Sequence, residues 1–207
     1  MHAMFSKRGA EASHDDVSND DHLTVLRDAA WSDYQRLQEL RGDRPVPRLA
    51  FSDGALELMT PSRAHENLKS LIGCLVEVWC LERGIDFSVF GSWTLESKEA
   101  RRGVEPDECY VFGDAAEPTR PDLAIEVIGT SGRIDKREIY RAFRVREIWF
   151  WRGGRITVHA LRDDGYEEVP RSEVLPGIDL EVLTTFLDRP TTSQAIRAYR
   201  TTLRASG

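Results

Sequence analysis

Asp122-Leu123-Ala124-Ile125-Glu126-Val127-Ile128 is the stretch on which the fold turns. Side chains alternate along a strand. Leu123, Ile125 and Val127 fall on one face; Ala124, Glu126 and Ile128 fall on the other. Both faces are apolar apart from one carboxylate, so the strand reads as buried on both sides. An unpaired buried carboxylate costs several kcal/mol even after relaxation, more than the ~1 kcal/mol an exposed ion pair returns. Glu126 therefore needs a cation, a proton or a metal. A salt bridge to one of the many arginines answers that need as well as a metal does.

On the N-terminal side, Gly103 to Phe112 reads as another strand run, with Glu105-Pro106-Asp107-Glu108 inside it. Proline there marks a strand start or an edge. Glu105, Asp107, Cys109 and Val111 are expected on one face. If the two runs pair, Asp107 stands beside Glu126. Two converging carboxylates raise each other's pKa unless a divalent cation sits between them. The competing reading is a solvated acidic strand edge. On the C-terminal side, Gly129-Thr130-Ser131-Gly132 breaks the pattern, and a short helix is expected from about Asp135 to Arg144. Lys136, Tyr140 and Phe143 share its inward face, while Arg137, Arg141 and Arg144 form an outward basic stripe. Lys136 thus starts a buried stripe at the end of the Glu126 strand; the alternative is a lysine that snorkels to water.

Further out, residues 1 to about 20 read as a mobile acidic arm. A helix is expected to start at Asn19-Asp20-Asp21, with Leu23, Leu26, Ala30, Tyr34 and Leu37 at helical spacing and Gly42 at its end. Leu49 to Met59 reads as a hairpin about Asp53-Gly54. Thr60-Pro61-Ser62 opens a second helix, which Gly84 closes. It carries His65-Glu66 in its first turn. The second histidine of a zinc-protease helix is absent, and Glu66 is either a dipole partner or one more carboxylate for a metal. Phe87 to Leu95 and Glu147 to Trp151 read as strands, Gly153-Gly154 as a hairpin turn, and Thr191 as the start of a last helix with Gln194 as a capping-box partner. The pattern gives an α/β class with a mixed central sheet flanked by helices. It divides into an arm over 1–20, one domain over 21–190 and a C-terminal helix over 191–207.

Composition narrows the function. The chain has 207 residues and a net charge of −7, which argues against coating nucleic acid by bulk charge. A local basic face survives that argument, since Arg133 to Arg155 holds eight Lys/Arg against three acids. Three cysteines without a CxxC pair disfavour a disulfide scaffold or a cysteine-built zinc site, and fit a reducing cytoplasm. No apolar stretch reaches membrane-spanning length, and no signal peptide is expected. Phosphate-binding Gly-rich loops and a Gly-x-Ser-x-Gly elbow are missing.

The ordered set Glu105-Pro-Asp-Glu-Cys-Tyr110, Pro121-Asp-Leu-Ala-Ile-Glu-Val127, Asp135-Lys136, Tyr140 and Val145-Arg-Glu-Ile-Trp149 resembles the Uma-two family of the PD-(D/E)xK nuclease-like superfamily. Asp53-Gly54, Met59-Thr-Pro-Ser62, His65-Glu66, Gly91-Ser92 and Pro176-Gly-Ile-Asp-Leu180 extend the likeness, which runs from about Leu23 to Leu187. The resemblance implies a restriction-endonuclease-like core. It makes Asp107 and Glu126 ligands of Mg²⁺ or Mn²⁺, and Glu66 the acidic residue of the first core helix. The superfamily's usual lysine position is Ile128 here. Its backbone carbonyl remains as a metal ligand, and Lys136 on the following helix replaces the missing amine. The implied activity is hydrolysis of DNA phosphodiesters, with Arg137, Arg141 and Arg144 docking the DNA backbone or forming a plain solvated face. Two other expectations compete or combine with it. One is a catalytically weak or inactive member that uses the fold to bind nucleic acid or a protein. The other is a homodimer built through Trp149 and Trp151 or the last helix.

Overall fold

The computed structural model describes residues 20–91, 93–114, 117–129 and 134–205. Residues 1–19 of the expected arm over 1–20, and 130–132 of the expected break at Gly129–Gly132, lie outside them. In chain order the elements are β1 (His22–Leu26), α1 (Trp31–Arg41), β2 (Arg48–Ser52), β3 (Ala55–Thr60), α2 (Arg63–Arg83), β4 (Phe87–Val89), β5 (Leu95–Ser97) and β6 (Arg102–Val104). Then follow β7 (Glu108–Phe112), β8 (Leu123–Val127), α3 (Lys136–Ala142), β9 (Glu147–Arg152), β10 (Arg155–Leu161), β11 (Tyr166–Val169), α4 (Leu180–Thr184) and α5 (Thr192–Ala205).

The strands form two sheets. An antiparallel one runs β1-β3-β2-β6-β5, and a mixed one runs β11-β10-β9-β8-β7-β4. Among the described residues only β8 and β9 pair in parallel, with α3 as the crossover between them. All five residues of β8 are buried. Leu123, Ile125 and Val127 face a core shared with α2 and α5, which includes Leu75, Trp79, Trp149 and Tyr199. Ala124 faces a second core built with Ile139 and Tyr140 of α3, Ile148 of β9, and Ala50 and Val104 of the other sheet. Glu126 points to that second side. The architecture is the expected restriction-endonuclease-like α/β arrangement.

Several boundaries differ from expectation. His22 to Leu26 is a strand, not the start of a helix, and it pairs with β3 from His22↔Thr60 to Leu26↔Leu56. The spacing of Leu23, Leu26 and Ala30 imitates a helix, but alternate burial and pairing decide the conformation. Asp28 at φ 60° then breaks the chain before α1. Phe87–Leu95 splits into β4 and β5, which belong to different sheets. Gly103–Phe112 also splits, at Pro106, where the chain crosses from one sheet to the other. Glu105 and Asp107 consequently part company. Glu105 stays with the antiparallel sheet, held by both Arg41 guanidinium nitrogens at 2.6 Å and by the Leu49 N–H at 3.1 Å. The last helix packs on α2 through buried Ala195, Tyr199 and Leu203. Trp149 is 0% exposed in the core and has no surface to offer a dimer.

One tight turn and one close approach shape the junction. The Asp53-Gly54 turn takes φ of 49° and 76°, as a two-residue hairpin of the primed kind requires. Gly103 lies against buried Tyr34: an added Cβ would stand 2.9 Å from Tyr34 Cε1 and closer still to its Cζ and hydroxyl. Gly103→Ala is expected to cost about 1–3 kcal/mol through overpacking, read as a lower urea midpoint with an unchanged slope.

Candidate active site

Pro106 ends one sheet's contribution and delivers Asp107 to the start of β7. The β7–β8 register pairs Glu108 with Ile125, so one step further sets Asp107 beside Glu126. The Val127 N–H donates to Asp107 Oδ2 at 2.7 Å, which fixes that placement. Asp107 and Glu126 are 0% and 1% exposed. Lys136, the first residue of α3, reaches back so that its Nζ donates to Glu126 Oε2 at 2.6 Å. Asp135 caps this helix by accepting from the Arg137 N–H at 3.0 Å, which holds the first turn against the end of β8. Tyr140, one turn on, donates its hydroxyl to Glu126 Oε1. The two acids and the amine therefore meet at one buried place.

Other groups complete the cluster. Arg48 at the start of β2 binds Asp107 Oδ1 with one guanidinium nitrogen and Glu66 Oε1 with the other, the latter at 2.6 Å. His65 in the first turn of α2 places Nε2 3.1 Å from Asp107 Oδ2 and Nδ1 2.9 Å from Asp21 Oδ2. Glu66 is at the rim, with its side chain 40% exposed, and also holds Lys69 at 3.1 Å. It meets Asp107 only through Arg48. Ile128 continues past β8 with its N–H on the Trp151 carbonyl at 2.9 Å. The Arg137 and Arg141 side chains are exposed, but each is tied to a neighbouring acid, Asp135 at 2.8 Å and Glu138 at 3.5 Å. Arg144 lies beyond the end of α3 at φ 54°, so the expected helical stripe is cut short.

The electrostatics follow from burial and neighbours. Burial alone would raise Asp107, but His65, Lys136 and Arg48 outweigh it and hold this carboxyl well below the usual range. Glu126 is pushed up by burial and by the Asp107 charge, against the pull of Lys136 and Tyr140. Burial disfavours the Lys136 ammonium, yet Glu126, Asp107 and Glu57 together raise it and keep it charged. His65 is likewise raised by Asp107 and Asp21 in spite of burial. The site is thus a compensated set of buried charges.

The donor chemistry fits a hard divalent cation. Mg²⁺ sites typically take one or two carboxylates and complete themselves with water and substrate phosphate. Asp107 and Glu126 supply such a pair. Among the described residues, no three His, Cys, Asp or Glu side chains are grouped to enclose an ion. A protein cage of the calcium type is therefore not present there.

Arg48, Asp21 and Tyr140 were not singled out as partners by sequence reasoning. Tyr140 was legible as an inward residue of the Lys136 face. The other two contact their partners across 59 and 44 residues and carry no local signal. Glu147 was also passed over. It is 0% exposed and accepts from Trp149 Nε1 and Ser172 Oγ, each at 2.6 Å, and from the Glu173 N–H at 2.7 Å.

No helix among the described residues is long and apolar enough to cross a membrane. No curated protein matches the chain. A family model, Uma2, described as "Putative restriction endonuclease", matches residues 31–188. That span holds Asp107, Glu126, Lys136 and the whole parallel β8-α3-β9 unit, and it covers most of the sequence: the chain belongs to the Uma2 family.

Proposed function

We propose that this protein is a nuclease that hydrolyses DNA phosphodiester bonds with Mg²⁺ or Mn²⁺ held by Asp107 and Glu126. The observation that carries the reading is the meeting of Asp107, Glu126 and Lys136, with the ammonium 2.6 Å from Glu126. A cation bound there supplies Lewis acidity and lowers the pKa of water from 15.7 toward about 7. Asp107 and Glu126 present the hard oxygens, and the Ile128 carbonyl adds a third. Tyr140 and Lys136 fix the rotation of Glu126. The Lys136 ammonium, held 2.6 Å from Glu126, would stabilise negative charge growing on a phosphate bound beside it. Arg137, Arg141 and Arg144 dock the DNA backbone, with affinity that falls as salt rises. Three free cysteines suit a reducing cytoplasm.

One observation favours a second reading, a binding module without catalysis. In this structure Arg48, His65, Lys136, Tyr140 and the Val127 N–H already occupy the carboxylates, and Arg48 must leave Asp107 Oδ1 before an ion can use that oxygen. Incubation with supercoiled plasmid and Mn²⁺ separates the readings. The nuclease reading expects nicking by the wild-type chain and a loss of at least ~100-fold in Asp107→Asn and in Glu126→Gln. Equal nicking by both variants would remove the mechanism. DNA retention without nicking would favour the binding module.

A further inference from the structure

Two arginines of the junction are held in different ways. Arg41 closes both guanidinium nitrogens on one acid, Glu105, at 2.6 Å each, the bidentate form in which guanidinium and carboxylate match best. Arg48 divides its fork. One nitrogen meets Asp107 Oδ1, and the other meets Glu66 Oε1 at 2.6 Å. The Arg48 side chain is 11% exposed, and it bridges a fully enclosed Asp107 to a Glu66 that lies at the rim. The second Asp107 oxygen is held from inside the fold. Oδ2 accepts the Val127 N–H at 2.7 Å and stands 3.1 Å from His65 Nε2. Oδ1 is thus the oxygen of Asp107 whose partner comes from the rim side.

Glu66 holds a second cation as well. Lys69, one helical turn on, places Nζ 3.1 Å from Oε2 with its side chain 12% exposed. Two cations therefore share one carboxylate at the mouth of the site. The bond from Arg48 to Asp107 brings the four charges into balance. Without that bond, Arg48, Lys69 and Glu66 keep one positive charge in excess. A phosphodiester carries one negative charge. A guanidinium fork with an ammonium beside it is a donor set that suits phosphate oxygens.

We propose that Arg48 and Lys69, tethered by Glu66, form the subsite for a substrate phosphate, and that Arg48 exchanges Asp107 Oδ1 for that phosphate when a dication takes the oxygen. This rests on the nuclease reading given above, and it gives Glu66 a positioning role in place of metal binding. In the metal-free chain Arg48 compensates Asp107, since a buried carboxylate without a partner is costly. Dication and phosphate both favour the state in which Arg48 has left Asp107, so each should strengthen the binding of the other.

The test uses the full chain and two equilibrium readouts, neither of which involves cleavage. Calorimetric titration with Mn²⁺ alone should show binding to Arg48→Met that is tighter than to the wild type by about 10-fold or more, because the competing guanidinium is gone. Fluorescence anisotropy of a labelled DNA duplex with nuclease-resistant phosphorothioate links, in saturating Mn²⁺, reads the other side. Affinity for the duplex should fall about 10-fold or more in Arg48→Met and severalfold in Lys69→Met. Each variant should also flatten the salt dependence by about one phosphate contact. Opposite shifts of the two affinities are the mark of an exchange; an arginine that only holds the fold together would weaken both or change neither. Lys69→Met, nearer the surface, carries the test if Arg48→Met fails to fold. An Arg48→Met chain that binds Mn²⁺ no tighter, or variants that hold the duplex as tightly as the wild type, overturn the proposal and leave the carboxylate pair standing. A wild-type chain that takes up no Mn²⁺ removes the nuclease reading and this inference with it.

Discussion

Lys136→Met should lower stability by about 3–5 kcal/mol at neutral pH and abolish DNA nicking. Removing one partner of a buried pair leaves an uncompensated charge, and that is the costly case. Methionine fills similar volume, so packing changes little. The destabilisation should depend on pH in a stated direction. The Glu126 carboxyl is already raised above its ordinary value near 4.5, chiefly by burial, and loss of the ammonium removes the main force pulling it down. A carboxyl raised in the folded state is most favourable below its unfolded pKa, and that stability is lost as pH rises through the folded value. The variant's deficit should therefore shrink on acidification from pH 7.5 to pH 5. Urea denaturation of both proteins at the two pH values measures it. A deficit that is the same at both would mean that Glu126 does not take up the proton.

The second large effect is expected at the other end of the β8–β9 pair from Glu126. Among the described residues Glu147 has no cationic partner; it is held by an indole N–H, a hydroxyl and the backbone N–H groups of Glu173 and Val174. It pins the segment after β11 to the start of β9. Glu147→Ala leaves these donors buried and unsatisfied, at roughly 1–3 kcal/mol each before relaxation. A net loss of about 3–5 kcal/mol is expected, which lowers the melting temperature by roughly 10 °C for a chain of this size. Glu147→Gln keeps one acceptor oxygen and should lose about half as much. Mn²⁺ affinity should stay at the wild-type value in the glutamine variant. An alanine variant that melts with the wild type in calorimetry would show that the clamp contributes nothing.

The sequence was most legible where the signal is local. Alternation exposed Glu126 as a lone carboxylate in a buried strand, and helical spacing put Lys136 and Tyr140 on one inward face. Both follow from backbone geometry within a few residues. The failures share a different cause. The helical spacing of Leu23, Leu26 and Ala30 competed with a strand pairing to β3 that only the tertiary fold supplies. Pro106 was read as an edge mark, but its consequence, a crossing between sheets that parts Glu105 from Asp107, depends on where the second sheet lies. Arg48 and Asp21 look like ordinary surface charges in the sequence. Only the fold shows that they reach Asp107 and His65. The arginines of α3 were correctly read as outward. Ion pairs of Arg137 with Asp135 and of Arg141 with Glu138 weaken the expected basic stripe.

Equilibrium titration of the metal-free chain with Mn²⁺, followed by calorimetry beside Asp107→Asn and Glu126→Gln, bears most directly on whether two carboxylates share one dication. One site that saturates in the wild type and vanishes in both variants is the expected outcome. A wild-type protein that takes up no Mn²⁺, or a Glu126→Gln variant that binds it as tightly, would contradict the account.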